Sequence, residues 1–188
     1  MFILHIFQIH SSNYKNSREL PDGNVIVVGS GQSGAQIAED LLDSGKKVWL
    51  AVSKCGRRPR RYRGKDSSWW NYEMGSFDKT VKDVPFKDRW SCSSHTSGSK
   101  GGHDINLLDL HERGLKLCGS IKDCKDNFVY INNDLYKNIK FSDEHALNWA
   151  KNVDKYIKNT KLMAPKEEII PDLRIEKTKL QSISKLDT

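Results

Sequence analysis

An α/β fold built on a parallel sheet is what this sequence predicts, and three observations within residues 24–54 predict it. An apolar run from Val25 to Val28 enters a turn with Gly29, Gly31 and Gly34 in the spacing Gly-x-Gly-x-x-Gly. Ala35, Ile37, Ala38, Leu41 and Leu42 then form an apolar stripe at helical spacing, with Glu39, Asp40 and Asp43 on the other face and Gly45 where a C-terminal cap belongs. A second apolar run, Val48 to Val52, closes the unit. Strand, glycine turn, helix and strand in that order make a Rossmann-like dinucleotide-binding unit, whose crossover helix leaves the strands parallel.

Each glycine has a physical task in that unit. Gly29 permits the tight turn off the strand, and Gly34 lets the helix approach the sheet closely. At Gly31 a side chain would hold the backbone away from a pyrophosphate. The pyrophosphate would then sit on free N–H groups at the positive end of the helix beginning near Gln32. Ser30, Gln32 and Ser33 add polar side chains to the same turn.

The end of the second strand selects the dinucleotide. An NAD-selective site places Asp or Glu about 20 residues past the glycines to hold the ribose 2′-hydroxyl, whereas a 2′-phosphate needs a cation there instead. Here Ala51-Val52-Ser53-Lys54 ends the strand, and no acid occurs between Asp43 and Asp66. NADPH is therefore the expected cofactor, with Ser53, Lys54, Arg57 and Arg58 clamping its extra phosphate, since guanidinium forks match phosphate oxygens. The surrounding run Arg57-Arg58-Pro59-Arg60-Arg61-Tyr62-Arg63 also fits a nucleic-acid phosphate surface or a solvated basic loop. Its place directly after the strand favours the cofactor reading.

The remaining segments follow in order. Residues 1–23 form a lead-in, in which the apolar opening Met1 to Ile9 is too short to span a bilayer and is expected as a buried strand. Residues 24–66 hold the NADPH-binding core. Residues 67–104, rich in Ser, Lys, Trp and Asp, form an insertion between sheet strands. Its Trp69 and Trp70 either pack over a bound nicotinamide or flavin, or fill a crevice beside the arginine loop. Residues 105–168 complete the α/β domain: Leu115 to Cys118 and Phe128 to Ile131 read as strands around a turn at 122–127, and Ser142 to Tyr156 as a helix. Residues 169–188 form a polar tail expected to fray from Lys177 onward.

Composition narrows the function classes. The chain has 188 residues and a formal charge of +7, but its 24 acids are spread throughout and much of the excess lies in the arginine loop. The four cysteines form no CxxC pair, which points to free thiols in a reducing, cytoplasmic setting. Cys92, His95, His103, His111 and Cys118 are metal-ligand types at separations matching no tight ligand pair, so no metal is expected. No Gly-x-Ser-x-Gly elbow occurs, and no catalytic acid, base or nucleophile is identified.

Longer stretches resemble flavin-containing monooxygenase-type oxidoreductases, especially bacterial flavoproteins of that type. The resembling residues are Gln8-Ile9-His10-Ser11-Ser12-Asn13-Tyr14, Leu20-Pro21-Asp22-Gly23, the fingerprint from Gly29 to Leu41, Arg60-Arg61-Tyr62-Arg63-Gly64-Lys65-Asp66 with Trp69 or Trp70, and Gly101-Gly102-His103-Asp104-Ile105-Asn106-Leu107. The family carries two fingerprints, one for FAD and an internal one for NADPH, and this chain resembles the internal one. The resemblance thus implies a fold truncated relative to the two-dinucleotide-binding-domain flavoproteins, with a flavin-binding domain or subunit as partner. It also implies hydride transfer from NADPH to FAD and oxygenation of a small-molecule substrate. A stand-alone NADP(H)-binding or sensing module is the alternative, and neither nucleic acid nor membrane is an expected partner.

Overall fold

The computed structural model describes residues 6–125, 128–172, 174 and 184–187. The chain first forms short 3-10 turns at Ser11–Asn13 and Ser17–Glu19. It then enters β1 (Val25–Val28), α1 (Gln32–Asp43) and β2 (Val48–Ala51). A long excursion contains β3 (Arg61–Tyr62), β4 (Lys65–Asp66), α2 (Ser67–Glu73), β5 (Thr96–Ser97) and β6 (His103–Asp104). After it come α3 (Leu107–Glu112), β7 (Lys116–Cys118), β8 (Ile121–Lys125), β9 (Phe128–Ile131), α4 (Leu135–Thr160) and β10 (Lys185–Asp187).

β1, β2 and β7 form a parallel sheet in that order, with Val27 beside Leu50 and Leu50 beside Leu117. Alternation along the strands divides its residues between two layers. Val27, Val48, Leu50 and Leu117 pack with Ala35, Ala38 and Leu41 of α1 and with Leu107, Leu108 and Leu110 of α3. Ile26, Trp49, Ala51 and Cys118 face the other way, onto Val129, Ile131, Ile121 and Leu186 of a second, antiparallel sheet ordered β10-β9-β8. Burying each larger aliphatic side chain contributes roughly 1.5–3 kcal/mol, so two-sided burial explains why the β2 residues Val48 to Ala51 read as a continuous apolar run.

Several expectations are corrected. Among residues 6–9 there is no strand: Phe7 and Ile9 are exposed, and the chain turns at Ser11, whose neighbour Ser12 is capped through its N–H by His10 Nδ1. The rest of that expected strand, residues 1–5, lies outside the described residues. The turn expected at 122–127 begins as strand β8, because Cys124 and Lys125 pair with Val129 and Phe128; residues 126–127 lie outside the described set. The helix expected from Ser142 starts at Leu135, where Leu135 and Ile139 join the main core two turns and one turn earlier. Of the tail expected to fray, Lys185 and Leu186 pair with Tyr130 and Val129, and Lys185 Nζ lies over the Phe128 ring. Residues 177–183 lie outside the described residues.

Candidate dinucleotide site at the glycine turn

The glycine turn stands at the C-terminal end of β1, where Gly29 and Gly34 take the tight turn and the close helix approach expected of them. Gly29 has φ +92°, a left-handed conformation, and its N–H donates to Ala51 O at 3.0 Å. A Cβ at Gly34 would lie 1.9 Å from Gly29 O, so only glycine allows α1 this close to the strand. Gly31 is the N-cap of α1 and no side chain caps the helix, while Gln32 and Ser33 are exposed beside it. Gly45, with φ +83°, ends the helix as expected.

Ser30 and Ser53 are tied to each other across the end of the turn. Ser30 is fully buried; its Oγ donates to Ser53 O at 3.1 Å and accepts from Ser53 N–H at 3.1 Å. Ser30 N–H in turn donates to Ser53 Oγ at 3.3 Å. This lock fixes the turn against the end of β2 and occupies the Ser30 hydroxyl, whereas Ser53 Oγ, bound only as an acceptor among the described residues, keeps its own proton to donate.

The cations after β2 divide between structure and solvent. Arg57 is bound to the largely buried Asp143 of α4, so its guanidinium is occupied within the fold. Arg60 pairs with Asp66 at 2.7 Å, Arg61 donates to the carbonyls of Gly101 and Gly102, and Arg63 Nε donates to Asp154 at 2.6 Å. Arg58 makes no ion pair among the described residues; its Nε, like that of Arg60, is buried without a well-aligned hydrogen bond, and burial depresses the Arg58 guanidinium's pKa. Lys54 is exposed, with Nζ 4.7 Å from the Phe141 ring centroid. It lines an open cleft of about 320 Å³ with Tyr136, Lys137, Asn138, Lys140, Phe141 and Glu144. Lys137 and Lys140 are cations that sequence reasoning missed; their i, i+3 spacing would have shown a shared helix face only had α4 been started early enough.

Other candidates resolve into packing. Trp70 is fully buried against Tyr62, Trp149, Ala150 and Val153, and its Nε1 donates to Tyr62 O at 2.7 Å. Trp69 meets it edge-on, ring centroids 4.8 Å apart, so both tryptophans fill the crevice beside the arginine loop. His103 Nε2 meets Glu39 at 2.8 Å, His111 Nδ1 meets Leu115 O at 2.7 Å, and Cys118 Sγ faces Leu50 O. His95 is almost wholly buried beside the turn, and its ring nitrogens form no well-aligned hydrogen bond within the described residues. Burial, with smaller effects from Arg57 and His145, lowers its pKa to about 4. Among the described residues no helix is long and apolar enough to cross a membrane.

The same region is the one that known proteins share. The sequence model of the family described as L-lysine 6-monooxygenase/L-ornithine 5-monooxygenase matches residues 5–109. An uncharacterized CzcO-like oxidoreductase of Geobacillus kaustophilus is 41% identical over 71 residues, 37% of this chain and 20% of that protein. An uncharacterized CzcO oxidoreductase of Bacillus velezensis is 44% identical over 75 residues, 38% of this chain and 21% of that protein. The Arabidopsis thaliana protein named probable indole-3-pyruvate monooxygenase YUCCA10 is 42% identical over 52 residues, 28% of this chain and 12% of that protein. This chain spans about a fifth of the length of the bacterial relatives. No solved structure matches. The glycine turn, its helix and the arginine loop all fall inside the matched stretch, and the chain belongs to the L-lysine 6-monooxygenase/L-ornithine 5-monooxygenase family of flavin monooxygenase-like oxidoreductases.

Proposed function

We propose that this chain is the NADPH-binding part of a flavin-dependent monooxygenase-like oxidoreductase. The observation that carries the reading is the glycine turn between β1 and α1, with the uncapped helix start beside it and no carboxylate at the end of β2. The turn's backbone N–H groups would hold the pyrophosphate. Ser53, Lys54 and Arg58 supply donors for a 2′-phosphate, and Arg57 acts through Asp143 to hold the loop in place. Half-buried Arg58, whose Nε has no hydrogen-bond partner among the described residues, fits that phosphate chemically. When bound, NADPH supplies the hydride. This chain's residues orient the dinucleotide, and within the longer family protein FAD would receive that hydride before a small substrate is oxygenated.

The segment between α2 and β5 adds support for a covering flavin-binding domain. Phe77, Val81, Phe86 and Trp90 are all exposed along it, apolar side chains that such a domain would cover. Calorimetric titration of the chain with NADPH and NADH tests the reading. NADPH is expected to bind more tightly, and Gly31→Ala is expected to weaken both nucleotides at least tenfold without unfolding the chain. Equal binding of the two nucleotides would sink the cofactor assignment, and unchanged binding by Gly31→Ala would make the turn a structural feature only.

A further inference from the structure

The direction that Gly31 leaves open is faced by the chain's own Cys92. A Cβ built on Gly31 would stand 3.4 Å from Cys92 Cβ. Cys92 reaches that position because residues 92–95 run alongside residues 54–57. Cys92 Sγ faces Lys54 O at 3.7 Å, and Cys55 Sγ faces Ser93 O at 3.3 Å. His95 N–H donates to Gly56 O at 3.1 Å, and Arg57 and His95 form a parallel bridge. The two cysteines, 37 positions apart in sequence, therefore stand on neighbouring stretches of chain, Cys55 beside Ser93 and Cys92 beside Lys54.

We propose that Cys55 and Cys92 are a thiol oxidation site that closes the glycine turn: a disulfide between them would pin residues 92–95 against Gly31 and exclude a dinucleotide. The gate rests on the nucleotide reading above. Their environments assign the order of events. Cys92 is exposed, whereas Cys55 is buried, and burial together with the neighbouring Cys92 thiol raises its pKa, so Cys92 is the sulfur that meets an oxidant first. With hydrogen peroxide, the Cys92 thiolate attacks one oxygen and the O–O bond breaks, giving a sulfenic acid and hydroxide. Cys55 sulfur then attacks Cys92 Sγ; the S–O bond breaks, and the Cys55 proton leaves with the hydroxyl as water. In sum, two thiols and one peroxide give one disulfide and two waters, with two electrons passing from sulfur to peroxide.

The test is peroxide treatment of the 188-residue chain, followed by tryptic mass mapping without reduction and by NADPH titration. The expected product joins the peptides carrying Cys55 and Cys92, raises the NADPH Kd at least tenfold, and reverts with dithiothreitol. Cys55→Ser and Cys92→Ser are expected to bind NADPH like the reduced chain before and after peroxide. A reduced chain that binds NADPH but forms no Cys55–Cys92 link, or links Cys118 or Cys124 instead, overturns this inference alone. A linked chain that binds NADPH as tightly as the reduced one overturns the gate. If the link forms but the reduced chain binds no NADPH, the nucleotide reading falls and the gate with it.

Discussion

Arg57 directs its guanidinium to Asp143, whereas Arg58, next in sequence, has no ion partner among the described residues. Substitution should separate the two roles. Arg58→Ala is expected to weaken NADPH by about 1.5–3 kcal/mol for each charge-assisted hydrogen bond it removes, with little effect on NADH or on folding. Arg57→Ala leaves the Asp143 carboxylate buried and unpaired, so it should cost about 3–5 kcal/mol of stability instead. Urea denaturation and calorimetry on both variants check this, and an Arg58→Ala that loses both nucleotides equally would mean only a general positive field. His95 makes a second residue-scale prediction. Its folded pKa of about 4 lies below the ordinary 6.5, so the folded chain binds fewer protons than the unfolded chain between those values. Stability from keeping this ring neutral is present above pH 6.5 and falls as the pH drops toward 4, by up to about 3 kcal/mol. The loss between pH 7 and pH 4.5 should be smaller in His95→Gln, measured by urea midpoints; an equal loss would place the acid sensitivity elsewhere.

At the scale of elements, the two glycines that bracket the start of α1 should respond very unequally to a methyl group. Gly34→Ala drives a methyl into Gly29 O, so α1 must move off the sheet at a cost of at least about 2 kcal/mol. Gly31→Ala meets Cys92 at ordinary van der Waals distance and should cost under about 1 kcal/mol, which thermal melts of the two variants can compare. β1, α1 and β2 were legible in sequence because each carries its own local signal: a fingerprint, a helical stripe with its capping glycine, and an apolar run bounded by polar residues. The start of α4 was not, since Asn138, Ser142 and Asp143 are polar residues buried by tertiary partners. Asn138 donates to Val52 O, and Asp143 binds Arg57. β8 was hidden for a related reason. Its residues Ile121-Lys122-Asp123-Cys124-Lys125 show exposed lysines and acid at an edge, and only pairing with β9 makes them a strand. For the site, glycine spacing announced the turn, while the Ser30–Ser53 lock and the Arg57–Asp143 pair depend on separations of 23 and 86 residues that no local pattern encodes.

On the scale of the whole molecule, α4 runs through both of the larger cores. Leu135 and Ile139 belong to the cluster around α1 and the parallel sheet, whereas Trp149, Ala150 and Val153 close the cluster around Tyr62 and Trp70. Across 26 residues it is one unbroken rod of about 39 Å, at about 1.5 Å per residue. Such a rod transmits load. Neither cluster can loosen without dragging on the other, so indole fluorescence, dominated by the far cluster, and far-ultraviolet circular dichroism should trace a single coincident urea transition. Glu144→Pro, at an exposed position between the two groups of anchors, should break the rod at a cost of about 3 kcal/mol or more and split that transition into two. If the fluorescence and dichroism curves already separate in the unsubstituted chain, the rod is not what joins the clusters. If they coincide, a nucleotide held at the glycine turn would stiffen the distant tryptophan cluster as well, and its binding would be readable as a change in indole emission from side chains it never touches.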